Sequence, residues 1–597
     1  MTLTAAREAL QTYFGYEQFR PMQAEVIEHV LQGGDALVLM PTGGGKSMCF
    51  QLPALITPGM TVVISPLIAL MRDQVAALQA NGVAAAFLNS AQSGEEQGEV
   101  IERALVADLK LLYVSPEKAL SADFYNIIGR TKVNLFAIDE AHCISAWGHD
   151  FRPEYTQLAH LRDRFGEVPF LALTATADKP TRRDIIQQLR LRQPRQFVSS
   201  FDRPNLSLTV LPGQQKLKAI LDFLRPRPNQ SGIIYCLTRK TTEELADKLT
   251  TRGIDAAAYH AGLSPQTRTQ IQDEFINDQT QIVCATIAFG MGIDKSNVRW
   301  VIHYNLPKNL ENYYQEIGRA GRDGLPSDTL LFYSYGDVQQ HQFFIQQSNQ
   351  QELLSAKLAR MQQYANAKIC RRRILLSYFG EEVTEDCGNC DVCQNPPERF
   401  DGTVVAQKAL SAIYRLREAA GMTMLIDVLR GSNKKELRER GYHQIKTYGA
   451  GAEMSQGQWQ HVLLQMLQLG LMEIAYHEGH TLKLTNAARA VLFDGAKVEL
   501  VRPERPKPVV ARAESRRDWL TDEEADLFED LRQLRLRLAR EANVPPYVVF
   551  SDATLRAMAQ RRPTTESAMR NIPGVGARKW ERYGAAFIEA IRASAAS

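Results

Sequence analysis

A glycine-rich turn that ends in lysine and serine is the first part of this sequence that could do chemistry. It runs Met40-Pro-Thr-Gly-Gly-Gly-Lys-Ser47, after the apolar run Ala36-Leu-Val-Leu39 and before a predicted helix that begins at Met48. Backbone N–H groups in such a turn, together with the positive end of the helix dipole, bind phosphate groups. Lys46 would reach the β- and γ-phosphates of a nucleotide, and the Ser47 hydroxyl would bind Mg²⁺. The other predicted nucleotide contacts in this loop are Thr42, Gly43, Gly44 and Gly45.

A second motif supports the first, which departs from the strict phosphate-loop pattern by having Met40 where that pattern has glycine. The second motif is Leu135-Phe-Ala-Ile-Asp-Glu-Ala-His142, an apolar predicted strand that ends in two acids. Asp139 can hold Mg²⁺ directly or through water, and Glu140 can orient the attacking water. The alternative is a glycine-rich loop and an unrelated acidic strand end. Since each motif follows a predicted strand, the pair predicts hydrolysis of a nucleoside triphosphate.

Three further side chains could complete a γ-phosphate site. They lie in Gln315-Glu-Ile-Gly-Arg-Ala-Gly-Arg-Asp-Gly324, where Arg319 and Arg322, three residues apart, are predicted to share one face of a helix. A planar guanidinium suits the charge that spreads over a transferring phosphoryl group. If Gln315 and both arginines come from a second lobe, hydrolysis depends on lobe closure. The alternative is the solvated start of a basic helix.

Four cysteines are clustered late in the chain. Cys370 is followed, after 16 residues, by Cys387-Gly-Asn-Cys390-Asp-Val-Cys393. Four thiolates suit tetrahedral Zn²⁺, and a site filled by cysteine at all positions leaves none open for catalysis. We therefore predict a structural zinc site with three ligands from one turn and Cys370 from a helix. An iron–sulfur cluster is the alternative that the spacing leaves open.

Short apolar runs that alternate with helical patterns position these motifs. Runs that are apolar on both faces predict parallel strands covered by helices, with ligands bound beyond the carboxyl ends of the strands. The first set comprises Ala36-Leu-Val-Leu39, Thr61-Val-Val-Ile-Ser65, Leu111-Leu-Tyr-Val-Ser115, Leu135-Phe-Ala-Ile-Asp139 and Phe170-Leu-Ala-Leu-Thr-Ala-Thr176. The second set comprises Gly232-Ile-Ile-Tyr-Cys236, Gln281-Ile-Val-Cys-Ala-Thr286, Trp300-Val-Ile-His-Tyr-Asn305 and Thr329-Leu-Leu-Phe-Tyr333. The fold class predicted is multidomain α/β with two parallel-sheet lobes.

A predicted helical segment upstream of the phosphate loop could bind the base of the nucleotide. The amide of Gln23 can both donate to and accept from an adenine edge, while Tyr16 and Arg20 could enclose the ring. The alternative is an ordinary helix start with proline at its first turn.

Composition excludes several classes of protein. The chain has 597 residues, 45% of them hydrophobic, with 70 basic and 67 acidic side chains and a net charge of +3. This length suggests roughly four domains, and a near-neutral balance means that any nucleic-acid surface must come from local patches. No apolar run approaches the ~18 residues of a membrane span, and the N-terminus lacks a signal-peptide pattern. Four scattered cysteines, and a cluster of four that is typical of a metal site rather than of disulfides, agree with a cytoplasmic protein.

Taken in order, these stretches resemble superfamily 2 helicases. Four motifs are similar in sequence to those of RecQ-family DNA helicases, and the resemblance extends over nearly the whole chain. The motifs are Phe19-Arg-Pro-Met-Gln23, Asp139-Glu-Ala-His142, Phe289-Gly-Met-Gly-Ile-Asp294 and residues 315–324. The resemblance implies RecA-like lobes and ATP-driven 3′→5′ movement on single-stranded DNA. It also implies unwinding of duplexes, forks or junctions in repair, recombination, replication and the SOS response. ATP, Mg²⁺ and Zn²⁺ are the implied cofactors, with zinc on the same four cysteines.

The resemblance also assigns roles to particular residues. Thr174-Ala-Thr176 would couple hydrolysis to DNA, and Asp294 would lie near the ribose or the lobe interface. The loop of residues 143–155 matches an aromatic-rich loop of the family. Its aromatic side chains and one cation would offer stacking platforms for exposed bases, although local core packing is the alternative. The predicted DNA contacts in this loop are Trp147, His149, Phe151 and Arg152.

The C-terminal third predicts smaller domains. The runs Leu471-Met-Glu-Ile-Ala-Tyr476 and His480-Thr-Leu-Lys-Leu-Thr485 suggest a hairpin, which the resemblance makes the wing of a winged helix. A proline-rich linker precedes an all-α segment that resembles the HRDC domain. There, Asn571-Ile-Pro-Gly-Val-Gly-Ala-Arg-Lys579 is either a phosphate site or a tight helix–helix turn. Tyr547 is the predicted contact of this domain with single-stranded DNA.

The predicted domain boundaries follow from these patterns. They are 1–205 and 206–335 for the two RecA-like lobes, 336–398 for a helical zinc-binding subdomain, 399–500 for the winged helix, 501–516 for the linker and 517–597 for the HRDC domain. Expected partners are single- and double-stranded DNA but no membrane. The resemblance adds the tail of single-stranded DNA-binding protein, a topoisomerase and association with the nucleoid.

Two other function classes stay open on the sequence alone. One is an RNA helicase or a translocase that does not separate strands, because contacts with phosphates distinguish DNA from RNA poorly. The other is a nucleic-acid-binding scaffold without ATP turnover. The scaffold predicts the loss of at least one motor residue, whereas Lys46, Asp139, Glu140, Gln315, Arg319 and Arg322 are all present.

Overall fold

The computed structural model describes residues 2–90, 92–145, 151–177, 179–290, 295–348, 350–475, 478–501 and 520–596. Within these ranges the chain forms two α/β lobes, a helical module with the four cysteines, a small α+β module and a C-terminal group of helices. Each helix in them is too short or too polar to span a lipid bilayer.

Seven parallel strands form the sheet of the first lobe. They are β1 (Ala36–Leu39), β2 (Met60–Ile64), β3 (Ala85–Leu88), β4 (Leu111–Val114), β5 (Val133–Ile138), β6 (Phe170–Thr174) and β7 (Arg195–Val198). Their spatial order is β3-β4-β2-β5-β6-β1-β7. Parallel strands end at a common edge, and β6 lies between β1 and β5. The phosphate loop after β1 and the two acids after β5 therefore lie on either side of the threonines that end β6.

Helices cover both faces of this sheet, as strands apolar on both sides require. They are α1 (Leu3–Ala9), α2 (Gln23–Leu31), α3 (Met48–Ile56), α4 (Ile68–Ala80), α5 (Gly94–Leu105), α6 (Pro116–Ala119), α7 (Ala122–Ile128), α8 (Pro153–Gln157), α9 (His160–Arg164) and α10 (Lys179–Gln188). A π-helical turn, Leu10–Phe14, extends α1, and a 3₁₀ turn, Ala141–Ile144, follows the acids. Two hydrophobic cores result, one on each face.

The second lobe repeats the architecture with six parallel strands. These are β8 (Leu206–Pro212), β9 (Gly232–Tyr235), β10 (Ala256–Tyr259), β11 (Ile282–Ala285), β12 (Trp300–His303) and β13 (Ser327–Tyr333), in the order β10-β11-β9-β12-β13-β8. Its helices are α11 (Lys216–Leu224), α12 (Arg239–Thr250), α13 (Pro265–Ile276) and α14 (Leu310–Ile317). The two parallel-sheet lobes predicted from the apolar runs are confirmed.

The cysteine module and the α+β module follow. The first contains α15 (Tyr335–Ile345), α16 (Gln351–Ala365), α17 (Arg371–Tyr378) and α18 (Asp391–Gln394). The second contains β14 (Arg399–Asp401), α19 (Thr403–Arg415), α20 (Met422–Arg430), α21 (Lys435–Glu439), a 3₁₀ turn (Tyr442–Gln444), α22 (Gln456–Gln468), β15 (Met472–Ala475), β16 (Thr481–Leu484), α23 (Asn486–Phe493) and β17 (Glu499–Val501). The antiparallel pairing of β15 with β16 is the predicted hairpin.

The C-terminal domain, which denotes residues 520–596 below, is helical, as predicted. Its elements are α24 (Asp522–Ala542), α25 (Pro546–Val549), α26 (Asp552–Arg561), α27 (Glu566–Arg570), α28 (Ala577–Lys579), a π-helical turn (Trp580–Gly584) and α29 (Ala585–Ala596). It has a hydrophobic core of its own. Most of the predicted linker lies outside the described residues.

A buried ion pair fixes β1, the strand that leads into the phosphate loop. Asp35, just before β1, lies 2.5 Å from the guanidinium of Arg162. The same carboxylate accepts hydrogen bonds from the backbone N–H of Phe170, at the start of β6, and of Arg192, before β7. The Arg162 guanidinium also stacks 3.8 Å from the ring centroid of Phe170. One carboxylate thus holds the beginnings of three adjacent strands in register.

Replacing Asp35 with Asn should destabilise the first lobe, because it leaves the Arg162 charge buried without its counterion. We expect the free energy of unfolding to fall by about 3–5 kcal/mol. Hydrogen exchange of β1 peptides in increasing urea measures this loss. The control is Asp163→Asn, which removes an exposed partner of Arg190 at 3.0 Å and should cost less than about 1 kcal/mol. Equal losses in both variants would contradict the role of Asp35.

Candidate nucleotide-binding cleft and metal centre

A cavity of about 570 Å³ lies where the carboxyl ends of the two sheets face each other. Its walls contain all six predicted catalytic side chains: Lys46, Asp139, Glu140, Gln315, Arg319 and Arg322. They also contain the predicted nucleotide contacts Tyr16, Arg20, Gln23, Thr42, Gly43, Gly45 and Ser47. Residues from both lobes therefore meet around one space of nucleotide size.

The phosphate loop has the backbone shape that a cradle needs. Gly43 and Gly45 have φ angles of +78° and +88°, in the left-handed region that glycine adopts without strain. The Lys46 ammonium donates to the carbonyl of Met40 at 3.1 Å, across the loop. The hydroxyl of Ser47 accepts a hydrogen bond from Gln74 at 3.3 Å. The loop therefore has the shape of a phosphate cradle before nucleotide binds, and the Lys46 side chain lies across it.

The upstream segment contacts the loop itself. The Gln23 amide donates to the Gly45 carbonyl at 3.0 Å and accepts from the backbone N–H of Arg20 at 2.8 Å. The Arg20 guanidinium donates to the carbonyl of Gly43. Gln23 and Arg20 therefore hold the phosphate loop in shape in this structure. Their contacts with a base, and those of Tyr16, stay predictions.

The two acids after β5 differ in environment. Burial, together with the neighbouring Glu140 carboxylate, raises the pKa of Asp139 to about 7, although Lys46 acts in the opposite direction. A bound divalent cation would favour the ionised form of Asp139. Glu140 has a φ of +48°, so the chain turns sharply just after Asp139. This turn places the Glu140 carboxylate 3.3 Å from Nδ1 of His142.

A chain of polar contacts links these acids to the second lobe. His142 Nδ1 lies 2.9 Å from the Thr174 hydroxyl, which in turn donates to the carbonyl of Thr176 at 3.2 Å. The Thr176 hydroxyl accepts a hydrogen bond from the Gln315 amide at 3.3 Å. The threonines at the end of β6 therefore lie between the predicted water-orienting acid and the predicted γ-phosphate ligand of the other lobe.

One local prediction about the arginines is wrong. Helix α14 ends at Ile317, and Gly318 and Gly321 lie in turns beyond it. Gly321 has a φ of +58°, which a continuing helix cannot accommodate. Arg319 and Arg322 therefore lie in a turn rather than on one helix face. Both still reach the cavity, and the Arg322 backbone lies close to Gly43 of the phosphate loop.

Arg203 is a site residue that lies outside all the sequence motifs. Its guanidinium donates to the carbonyl of Thr42, in the phosphate loop, at 2.5 Å. It also donates to the carbonyls of Ala320 and Gly321, in the arginine turn, at 2.9 and 2.8 Å. Burial lowers the pKa of Arg203 to about 10. One side chain thus joins the two lobes directly beside the cavity. The sequence signal was an arginine at the predicted junction of the lobes, with its backbone conformation restricted by the following Pro204.

The four cysteines form a compact group. Their sulfur atoms all lie within 4.8 Å of one another, with Cys390 and Cys393 at 3.4 Å and Cys387 and Cys393 at 3.9 Å. Tetrahedral zinc with Zn–S bonds of ~2.3 Å separates its sulfurs by about 3.8 Å. The donor set therefore fits one zinc ion. Cys370 comes from the residue just before α17 rather than from within the helix.

The zinc module is bonded to the second lobe. Asn389, between the cysteines, donates to the carbonyls of Pro204 and Leu206 at 3.2 and 3.1 Å. Arg372 pairs with Asp202 at 2.7 Å. These contacts hold the segment that carries Arg203. The zinc module thus stabilises residues 202–206, the segment that joins the two lobes.

The predicted DNA contacts are only partly described. Trp147, His149 and also Asp294 lie outside the described residues. Phe151 is 45% exposed, consistent with a stacking surface, and the Arg152 guanidinium donates to the Pro66 carbonyl at 3.2 Å. Tyr547 is half-buried and lines the nucleotide cavity, and its predicted contact with single-stranded DNA stays a prediction. The Gly574 N–H in the predicted phosphate turn instead donates to the Gly15 carbonyl of the first lobe.

Family models match five successive segments of this chain. Family models match the DEAD/DEAH box helicase (residues 20–185), the helicase conserved C-terminal domain (215–324), the RecQ zinc-binding domain (335–394), the RQC domain (396–509) and the HRDC domain (524–591).

Two full-length relatives share the same description, "ATP-dependent DNA helicase RecQ". The protein from Pasteurella multocida is 45% identical over 98% of this chain and 93% of its own length. That from Bacillus subtilis is 40% identical over 99% of each. A solved structure of the DEAD-box helicase Mss116 bound to single-stranded RNA aligns with a TM-score of 0.46 at 18% identity, covering 55% of this chain and 72% of that one.

Replacing Arg203 with Ala should slow nucleotide hydrolysis more than it weakens nucleotide binding. The side chain positions the phosphate loop against the arginine turn, and each charge-assisted hydrogen bond contributes about 1.5–3 kcal/mol. We expect kcat to fall about tenfold or more, with a small change in KM. Steady-state ATP hydrolysis measures both. Arg203→Lys should rescue only in part, since one ammonium cannot span three carbonyls. Arg195→Ala, an exposed control, should match the parent; a parental kcat in Arg203→Ala would exclude the positioning role.

Removing one zinc ligand should release the metal and loosen the joint of the lobes. The parent should contain zinc in equimolar amount by elemental analysis, without the visible absorption of iron–sulfur clusters. Cys390→Ser should lose the zinc and increase proteolytic cleavage near residues 200–206, because structural zinc supplies folding energy directly. Cys236→Ser, a buried cysteine outside the cluster, should retain the zinc. Full zinc content in Cys390→Ser would refute the assignment.

Proposed function

The chain belongs to the RecQ family of ATP-dependent DNA helicases, and we propose that the cleft between its lobes couples ATP hydrolysis to 3′→5′ movement on single-stranded DNA. The activity follows from relatives that are 40–45% identical over nearly the full chain. The direction of movement is taken from the family. The observation that carries the coupling is the continuous polar path from Glu140 to Gln315 across the end of β6.

The residues of the cavity have distinct proposed roles. The phosphate loop and Lys46 bind the β- and γ-phosphates, and Asp139 with Ser47 holds Mg²⁺. A bound Mg²⁺ neutralises charge on the phosphates during transfer. Glu140 orients the attacking water. The γ-phosphate ligands from the second lobe are Gln315, Arg319 and Arg322, and the proposed base-binding side chains are Tyr16, Arg20 and Gln23. Asp294 keeps its proposed place near the ribose or the lobe interface.

The polar path explains how bound DNA could alter hydrolysis. Phe151 and Arg152 follow the acids by about a dozen residues, and the Arg152 backbone N–H donates to the Cys143 carbonyl at 2.8 Å. Cys143 directly follows His142, which contacts Glu140. A base stacked on Phe151 would therefore act on the backbone near the water-orienting acid, and Trp147 and His149 keep their predicted role in stacking. Single-strand binding and hydrolysis share this short segment.

Lobe movement then converts hydrolysis into steps along the strand. The γ-phosphate draws Arg319 and Arg322 toward Lys46, and its release removes that attraction. The zinc module is bonded to the second lobe, and the α+β module, proposed as the winged helix, is bonded to the zinc module; both would carry duplex DNA with that lobe. The proposed domain boundaries are those predicted from the sequence. The proposed protein partners are the tail of single-stranded DNA-binding protein and a topoisomerase. The proposed location is the cytoplasm, in association with the nucleoid.

Replacing Lys46 with Ala tests the cleft. We expect DNA-stimulated ATP hydrolysis to fall about 100-fold or more, since a preorganised charge on the transferring phosphate is lost, while single-stranded DNA binding is retained. Hydrolysis is measured without polymer, with single-stranded DNA and with matched RNA, alongside strand release from 3′- and 5′-tailed duplexes. The control is Lys240→Ala, whose side chain is 86% exposed on α12.

Each arm of this experiment can contradict the proposal. Parental hydrolysis in Lys46→Ala would refute the assignment of the phosphate loop. Strand release only from the 5′-tailed duplex would reverse the direction. Equal stimulation of ATP hydrolysis by RNA and DNA would contradict the assignment of DNA as the substrate. Stimulation without strand release would indicate a translocase rather than a helicase.

A further inference from the structure

The C-terminal domain packs against the first lobe at the edge of the nucleotide cavity. The N–H of Gly574 donates to the carbonyl of Gly15 at 3.0 Å. A Cβ placed on Gly576 would lie 3.1 Å from the carbonyl oxygen of Tyr13 and 3.2 Å from that of Thr12. Nearby, Arg578 covers Gly82, just beyond α4. Two backbone segments therefore touch closely, next to Tyr16 of the proposed base site.

The same domain also meets the second lobe. Arg535, fully buried in α24, pairs with Asp552 of its own domain at 2.7 Å. Its other guanidinium nitrogen lies 3.9 Å from Asp278 of the second lobe. Asp278 in turn binds the buried ammonium of Lys295. A domain that contacts both sides of a cleft is sensitive to the separation of those sides.

Lys579 lies where the domain faces the nucleotide cavity. It is the last residue of α28, and it lines the cavity together with Tyr16, Lys46 and Arg319. Among the described residues, no carboxylate or other acceptor pairs with its ammonium. Burial lowers the pKa of Lys579 to about 8. A desolvated cation in a cavity is stabilised when an anion enters.

We propose that Lys579 is a nucleotide-binding residue, which the C-terminal domain supplies to the ATP site from outside the two lobes. Its ligand is a nucleoside di- or triphosphate, to which an ammonium can only donate hydrogen bonds. Docking of the domain and binding of nucleotide then strengthen each other by the same factor, because linkage between two equilibria is reciprocal. The proposal rests on the assignment of the cleft as the ATP site.

The consequence for the helicase cycle is direct. While nucleotide is bound, the surface of the C-terminal domain that contains Tyr547 and Lys579 is held against the motor. Loss of nucleotide weakens this docking and frees the surface for other contacts. The predicted DNA contact through Tyr547 is then available only in the undocked state.

Equilibrium binding of a fluorescent ADP analogue with Mg²⁺ to the full-length chain tests the role of Lys579. Lys579→Ala should weaken binding about tenfold, the effect of losing one charge-assisted hydrogen bond. Lys579→Arg should restore most of the affinity. Arg582→Ala removes an exposed cation three residues further along and should bind like the parent. Parental affinity in Lys579→Ala would overturn the proposal.

A wedge variant tests docking without removing the cation. Gly576 has a φ of −78°, which any residue adopts, and its nearest neighbours are backbone atoms of the first lobe. Gly576→Val should therefore displace the domain, leave its fold intact by circular dichroism and weaken nucleotide binding as much as Lys579→Ala does. Gly94→Val, where a Cβ meets nothing within 4 Å, is the matched control. Parental affinity in Gly576→Val would also overturn the proposal.

Hydrogen exchange separates this proposal from the assignment of the ATP site. In the parent, ADP should slow exchange in the peptide that contains Gly574, whereas in Lys579→Ala it should not. If ADP slows exchange equally in both, Lys579 does not link nucleotide to docking and the proposal fails. If Lys46→Ala binds the analogue as tightly as the parent, it is the cleft assignment that fails.

Discussion

Crowding of positive charge around one cavity is the constraint on which the arrangement of the domains depends. Among the described residues that line it, six are lysines or arginines and three are acids: Arg20, Lys46, Lys308, Arg319, Arg322 and Lys579, against Asp139, Glu140 and Glu316. Like charges around one cavity repel unless an anion lies between them. The nucleotide phosphates provide that anion. The relative positions of the two lobes and the C-terminal domain therefore depend on what the cavity holds, and this dependence is what a motor requires.

The segment that joins the lobes is held in place by packing and hydrogen bonds around Arg203. Phe201, Tyr314 and Phe379 pack together where the first lobe, α14 and the zinc module meet, and the rings of Phe201 and Phe379 stack at 4.7 Å. The Tyr314 hydroxyl donates to the Phe201 carbonyl at 2.7 Å. Glu381 accepts hydrogen bonds from the N–H of Phe201 and the hydroxyl of Ser200. The zinc module thus steadies the chain on one side of Arg203, while Arg203 itself contacts both lobes.

The accessory domains extend this motor in two directions. The zinc module is bonded to the second lobe, and Gln468 of the α+β module donates to the Gln363 carbonyl of the zinc module at 3.0 Å. The C-terminal domain instead lines the cavity and contacts both lobes. The zinc and α+β modules can therefore move with the second lobe, whereas the contacts of the C-terminal domain depend on the distance between the lobes.

The sequence by itself determined the chemistry of the site and the class of the fold. Lys46, Asp139 and the cysteine cluster are identified by residue type and short-range spacing, and strands apolar on both faces specify covered parallel sheets. Only the tertiary structure decided which motifs touch. The pairing of β1 with β6, the contacts of Arg203 and the docking of Lys579 join residues more than a hundred positions apart. Such contacts depend on packing between distant segments of the chain, which local periodicity does not encode. The helical arginines were predicted wrongly for a local reason, because the chain turns at Gly318 and Gly321 just after α14.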